Sequence, residues 1–267
     1  MRLRNGVFTA PLLARQKWLG HAFGTRRATG PEPAPGAGRQ PASALRWFGL
    51  GLPAATLKQI HSGIVHVVEG AEERLTGDAL VTATPGLALA VETADCLPVL
   101  LADPEHHAVA AVHAGWRGTL QRIAEKTVGV MRRQFGANPG RLVAALGPAI
   151  HACCYGVGPE VLEQYRSQFP YAEKLFRHVQ EENPVDILVP RQILVDHTAL
   201  LRPLETSRAY LDLEEALCRQ LLAAGLSPRH IARGAPCTAC RTDLLYSYRK
   251  EGAGAGRMLA QIAIRPA

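Results

Sequence analysis

The chain has no run approaching the ~20 consecutive apolar residues that a membrane-spanning helix needs, so a helical membrane protein is excluded. It has no internal repeat. Lysine is scarce, 5 against 25 arginines, an imbalance that carries no functional signal of its own. Acids are almost missing from residues 1–46, which hold eight Arg or Lys and one acid, Glu32. That segment therefore carries the whole net charge of +7, and the remainder balances to zero. A basic segment can attract phosphate-bearing ligands or nucleic acid. These bases stand singly, without interleaved aromatics or a recognisable motif, so no nucleic-acid partner is expected.

What is present is an ordinary globular composition, 47% apolar and 20% charged over 267 residues, enough for one large core. The apolar segment Val7–Ala14 is broken by Pro11 and closed by Arg15. It reads as mature protein rather than a signal peptide, and the expected location is the cytoplasm. Six cysteines, at 96, 153, 154, 218, 237 and 240, then point to metal binding, catalysis or burial before disulfides. Cys237-Thr238-Ala239-Cys240 is a lone C-x-x-C without a partnering pair or a neighbouring βαβ pattern, a weak signal for either zinc or redox chemistry.

Short strands are expected near Val7, at His21–Thr25, in two pieces within residues 57–68, at Ala79–Thr82 and at Leu87–Val91. Residues 29–42 form a Pro/Gly-rich loop expected to be mobile, and Leu45–Leu52 a short helix. A helix is expected from an N-cap at Thr119 to Phe135, stopped by Gly136. Others follow Pro159 at a first turn, and Asp212 with Glu215 as a capping box. Residues 170–209 have no clean period, and Arg257–Ile264 closes the chain as a strand. The fold class is therefore α/β (α+β), mixed sheets flanked by helices, in a single domain over 1–267.

The chain is organised around Thr93–Gly118. Two apolar runs, Leu97–Ala102 and Ala108–Val112, read as buried strands joined by the turn Asp103-Pro104-Glu105. Cys96 stands at the mouth of the first and His113 at the exit of the second, with His61 upstream in L-K-Q-I-H-S-G. One thiolate and two imidazoles suit zinc, with a fourth position open as in catalytic sites. Spacing alone does not single them out, because His21, His66, His106, His107 and His151 are equally available. In H-A-G-W-R-G, Arg117 could fork onto phosphate beside backbone N–H groups at a helix start. It reads equally as a solvated turn residue, and Trp116 as a packing aromatic. Gln59 shares a strand face with His61, and Asp95 stands where it could orient a ligand or cap a strand.

The segments G-D-A-L-V-T, T-A-D-C-L-P-V-L-L-A-D, V-A-A-V-H-A-G-W-R-G-T, L-G-P-A-I, C-Y-x-V-G-P-E-V and C-T-A-C…Y-S-Y-R-K…G-R resemble the laccase-domain, or YfiH-type, family. The resemblance runs from about Leu57 to the C-terminus, nearly four-fifths of the chain. That family carries the labels polyphenol oxidase, peptidoglycan editing factor and purine nucleoside phosphorylase. The resemblance implies an α/β sandwich shared distantly with the cytotoxic necrotizing factor catalytic domain. It implies a zinc site on His61, Cys96 and His113, with copper as the other metal to consider. It also implies phosphorolysis of adenosine, inosine and S-methyl-5′-thioadenosine, with some adenosine deamination. Cys96, His113 and Arg117 would then be catalytic, and Gln59, Asp95, Trp116 and Arg117 would contact substrate. The partners expected are a nucleoside and phosphate, on a monomer. Two departures stand out: Gly156 replaces the family's usual acid, and the opening H-G-F-x-T-R-x-G-G becomes H-A-F-G-T-R-R-A-T-G.

Three other readings compete. Cys96 as nucleophile and His113 as base would make a metal-free amidase acting on a peptidoglycan precursor. A copper oxidase of phenols needs paired His-x-His ligands for several coppers, which the chain lacks. A binding-only module has no need for a reactive thiol.

Overall fold

The computed structural model describes residues 1–27, 52–71, 74–180 and 207–266. The loop expected at 29–42 and nearly all of the helix expected at 45–52 lie outside them. The chain divides into two compact units, one built from Met1–His151 and Leu213–Ala267, the other from Ala152–Asp212.

The larger unit holds two six-stranded mixed sheets. The first runs, edge to edge, Arg2–Arg4, Val7–Thr9, Leu19–Gly24, Met258–Ile264, Ala88–Thr93 and Ala54–Ala55. The second runs Ile231–Ala232, Val143–Leu146, Leu97–Asp103, Ala108–Ala114, Ala79–Thr82 and Val65–Val67. Neighbours are antiparallel except at one edge of the first sheet and both edges of the second. One apolar core joins them: Phe23, Leu89 and Ile262 of the first sheet cluster with Leu80, Leu100 and Val109 of the second. The mixed-sheet sandwich expected from the sequence is the fold observed.

The central hairpin explains why its strands read as unbroken apolar runs. Leu100, Ala102, Val109 and Ala111 belong to the core between the sheets. Val99, Leu101, Ala110 and Val112, one residue out of phase, are equally buried. The helix Ile123–Phe135 packs against Ala108–Ala114 and Ala79–Thr82, and the helix Leu213–Ala223 packs on it in turn. A strand covered on both faces has no polar side to alternate with. The connecting turn holds because the buried Asp103 accepts the Glu105 N–H at 2.9 Å.

One helix differs from expectation. Residues 119–135 read as a single helix, but two form, Trp116–Leu120 and Ile123–Phe135. Arg122 between them has φ +59°, a left-handed backbone that no α-helix continues through. Thr119 does not cap: its hydroxyl donates back to the Gly115 carbonyl inside the first helix. The apolar period survives the break because both pieces bury one face, so periodicity alone could not reveal it.

The smaller unit holds an antiparallel sheet of Gly156–Val157, Ser207–Leu211 and Phe176–Gln180, with the helix Pro159–Gln168. Tyr165 packs on Phe169 and Phe176 at ring separations of 5.5 and 5.6 Å. Pro159 opens the helix as its position suggested.

Buried His21 gives the larger unit a pH dependence. Its Nε2 accepts the Ala10 N–H at 2.8 Å, so the ring is neutral when folded. Burial outweighs that bond and lowers its pKa to about 4. The stability that this neutral ring contributes is complete above the unfolded pKa of about 6.5 and is lost as pH falls toward 4. Between pH 7 and pH 4.5 the loss is about 2 kcal/mol from this group. Urea midpoints should fall over that interval, and His21→Gln, which keeps an acceptor but cannot titrate, should fall less. Equal acid sensitivity in both proteins would remove His21 from the account.

Candidate functional site

The site lies where the second sheet's central hairpin opens. Register places it there: Leu97 pairs with Ala114 and Pro98 with His113, so the residue before the first strand meets the last turn of the second. Cys96 therefore stands beside His113. His61 arrives from the turn after the short strand Leu57–Lys58. The donor atoms of His61, Cys96 and His113 all lie within 4.8 Å of one another. Cys96 Sγ is 3.7 Å from His61 Nε2, and the two imidazoles meet edge to face at 4.9 Å. His113 is buried and His61 exposed, so the cluster faces solvent on the His61 side.

Asp78 anchors this arrangement. It is completely buried at the start of the strand Ala79–Thr82. Its Oδ1 takes the His113 Nδ1–H at 2.8 Å and the His61 N–H at 3.0 Å. Its Oδ2 takes the Ser62 N–H and hydroxyl, each at 2.6 Å, and the Ile60 N–H at 3.3 Å. One carboxylate thus fixes the ring of His113 and the turn bearing His61. Tying up Nδ1 turns Nε2 of His113 toward the cluster. Burial alone would raise the Asp78 pKa, but the bonds from His113 and Ser62 hold it down at about 2. Burial likewise opposes charge on the other pair. The Cys96 thiol is nonetheless drawn down to about 6 by the His113 charge and hydrogen bonds from both histidines. His113 is pushed up to about 9 by the Cys96 thiolate and Asp78. A thiolate facing an imidazolium is the metal-free state these shifts describe.

The donors fit a divalent metal. Zinc bound at about 2.3 Å to sulfur and 2.0–2.1 Å to nitrogen holds its tetrahedral donors roughly 3.3–3.6 Å apart. The Cys96–His61 spacing of 3.7 Å needs only a small contraction to match. Gly115 makes that approach possible: a Cβ there would stand 2.8 Å from Cys96 Sγ and 3.0 Å from His61 Cδ2.

The other residues expected at the site are placed differently. Gln59 is not on a strand with His61, because the strand ends at Lys58 and His61 has a left-handed φ of +60°. Its amide instead closes on the backbone of Glu92, with two bonds of 2.8 Å. Asp95, at φ +89°, has both carboxylate oxygens engaged, by the Thr238 hydroxyl and the Arg249 N–H at 2.6 Å each. Its carbonyl takes the Ile150 N–H at 2.9 Å. It braces the chain entering Cys96. Arg117 is exposed on the short helix, its guanidinium 4.2 Å over the Trp116 ring. Asp78 was absent from the expected site. The one sequence signal for it was an acid placed directly before the short strand run A-L-V-T.

Residues 42–265 match the family model described as multi-copper polyphenol oxidoreductase laccase. The chain is 38% identical over 211 residues to a purine nucleoside phosphorylase of Deinococcus radiodurans, covering 79% of this chain and 70% of that one. It is 36% identical over 194 residues to a purine nucleoside phosphorylase of Bacteroides thetaiotaomicron, covering 72% of this chain. There it spans 63% of the relative's length, less than two thirds. It is also 36% identical over 196 residues to adenosine deaminase RL5 from an unknown prokaryotic organism, covering 73% and 65%. Among solved structures, the hypothetical protein YfiH of Bacillus licheniformis superposes with TM-score 0.72 at 25% identity, covering 93% and 94%. YlmD of Geobacillus stearothermophilus gives 0.69 at 25% identity, covering 99% and 98%. Among the described residues no helix is long and apolar enough to cross a membrane. A model match over most of the chain, on top of a shared fold and extended sequence identity, means that this chain belongs to the multi-copper polyphenol oxidoreductase laccase family, among relatives named purine nucleoside phosphorylase.

Proposed function

We propose that the chain is a zinc-dependent purine nucleoside phosphorylase acting on adenosine, inosine and S-methyl-5′-thioadenosine, with adenosine deaminase activity. The observation that carries this reading is the convergence of one thiolate and two imidazoles, with Asp78 fixing the inner ring. The names of the relatives supply the substrate class. His61, Cys96 and His113 are the ligands in this reading. When bound, zinc supplies a Lewis acid that polarises water or a phosphate oxygen.

The chain's own residues do the rest. In phosphorolysis a phosphate oxygen bonds to ribose C1′ while the C1′–N9 bond breaks, and the base leaves with the electron pair and gains a proton. In deamination water adds at C6 of adenine and ammonia leaves. Arg117 holds the phosphate, with its guanidinium resting 4.2 Å over the Trp116 ring. Gln59 and Asp95 act through the backbone they hold rather than through free polar atoms.

One specific observation favours a second reading. A Cys96 thiolate beside a His113 imidazolium supplies a nucleophile and a proton donor for the leaving group, a pair that could serve a metal-free amidase. A single copper is compatible with a His2Cys donor set. A multi-copper centre is not supported, because among the described residues this is the one candidate ligand group that contains histidine.

Metal analysis of the purified protein, with assays of free base released from the three nucleosides, tests the proposal. Near one zinc per chain and release that requires phosphate are expected. Arg117→Ala should raise the phosphate KM about 10-fold, as loss of a charge-assisted hydrogen bond does. Full activity in the presence of a strong chelator would move the case to the amidase.

A further inference from the structure

The turn that carries His61 is not held by apolar burial. Ile60 and Ile64 on either side are 46% and 43% exposed, and His61 itself is exposed. His61 adopts φ +60°, a conformation that side chains other than glycine's rarely take. Such a backbone persists only where surrounding contacts over-determine it. The Asp78 carboxylate supplies four of them, from the His113 side.

Two more come from Gln121, the residue that ends the helix Trp116–Leu120. Its Oε1 accepts the Gly63 N–H at 2.9 Å, and its Nε2 donates to the His61 carbonyl at 3.3 Å. Both ends of one amide thus close on the backbone flanking Ser62. The helix presses directly on the turn. A Cβ on Gly118 would stand 3.2 Å from the Ser62 carbonyl, and one on Gly63 3.1 Å from Gln121 Cβ. Gln121 is itself fixed, since its N–H closes the helix onto the Arg117 carbonyl at 3.0 Å.

We infer that Gln121 is a positioning residue, which sets His61 as the third, outer ligand and ties it to the helix that carries Arg117. The inference rests on the metal reading of the site. Cys96 and His113 are held by the sheet and Asp78, so losing Gln121 leaves them in place and loosens His61 alone, which Asp78 then holds from one side only.

The test measures zinc transfer from wild type, Gln121→Ala, His61→Ala and the double variant to a chromogenic chelator, with cobalt(II) spectra of each. Gln121→Ala should release zinc about 10-fold faster, the usual scale for removing a residue that orients a ligand. The cobalt thiolate band should stay while the d–d bands shift. Gln121→Glu, which keeps the acceptor for Gly63 but lacks the donor to His61, should fall between. In the His61→Ala background the Gln121 change should add nothing, because both act through one ligand. Additive effects, or release unchanged in Gln121→Ala and Gln121→Glu, would overturn the inference. Wild type that binds no zinc would instead overturn the metal reading, so the two failures are distinguishable.

Discussion

Replacing Asp78 by Ala is expected to unfold the site and lower the thermal midpoint by about 10 °C. Five donors converge on this carboxylate: the His113 ring, the Ser62 hydroxyl and the N–H groups of residues 60, 61 and 62. Removing a buried, fully bonded charge leaves its partners unpaired, at a cost of about 3–5 kcal/mol. In a unit of roughly 200 residues each kcal/mol moves the midpoint by about 2–4 °C. Asp78→Asn is the sharper variant. It has nearly the same shape, but its amide must turn an NH2 group toward N–H donors whichever way it is flipped. It should lose about half as much stability as Asp78→Ala and bind zinc about 10- to 100-fold more weakly, because His113 is no longer oriented. Calorimetry and chelator competition read the two effects separately. A stable Asp78→Asn protein with wild-type zinc affinity would show that the carboxylate's charge is immaterial to the site.

The contrast between Asp78 and Cys96 shows what the sequence could and could not reveal. The hairpin around Cys96 was legible because both strands are buried on both faces, which leaves two apolar runs and an Asp-Pro turn in plain view. The C-terminal strand was legible for the same reason, within a residue of its observed start at Met258. Convergence of His61 with Cys96 and His113 was not legible from spacing. His61 lies 35 positions before Cys96 and reaches it through a left-handed turn that no local pattern encodes. It entered through likeness to a family. Asp78 and Gln121 escaped altogether. An acid after glycine looks like turn chemistry, and a glutamine at a helix end looks like surface. Their roles lie in which distant backbone they bond, and only the fold decides that. Gln59 differs in another way: expected on one strand face with His61, it lies beyond the strand end at Lys58, and its amide holds the backbone of Glu92.

Cys96→Ser is expected to abolish activity under both the zinc and the amidase readings, so activity alone cannot separate them. Metal content and alkylation can. A serine hydroxyl is no zinc ligand at neutral pH, so Cys96→Ser should lose zinc affinity by at least ~100-fold, more than removal of an orienting residue costs. Its fold should hold, because Cys96 sits at the strand mouth and not in the core between the sheets. Iodoacetamide should then label Cys96 of chelator-treated wild type quickly, read by peptide mass so that the exposed Cys153 and Cys240 are counted apart. Stoichiometric zinc should protect Cys96, since a coordinated sulfur has its lone pair committed to the metal. A metal-free amidase makes the reverse demand: its nucleophile must stay reactive in the active protein, and alkylation must track loss of activity whether zinc is added or not. Fast labelling of Cys96 in fully active protein carrying a full equivalent of zinc would place the metal elsewhere and leave the thiolate–imidazolium pair as the working site.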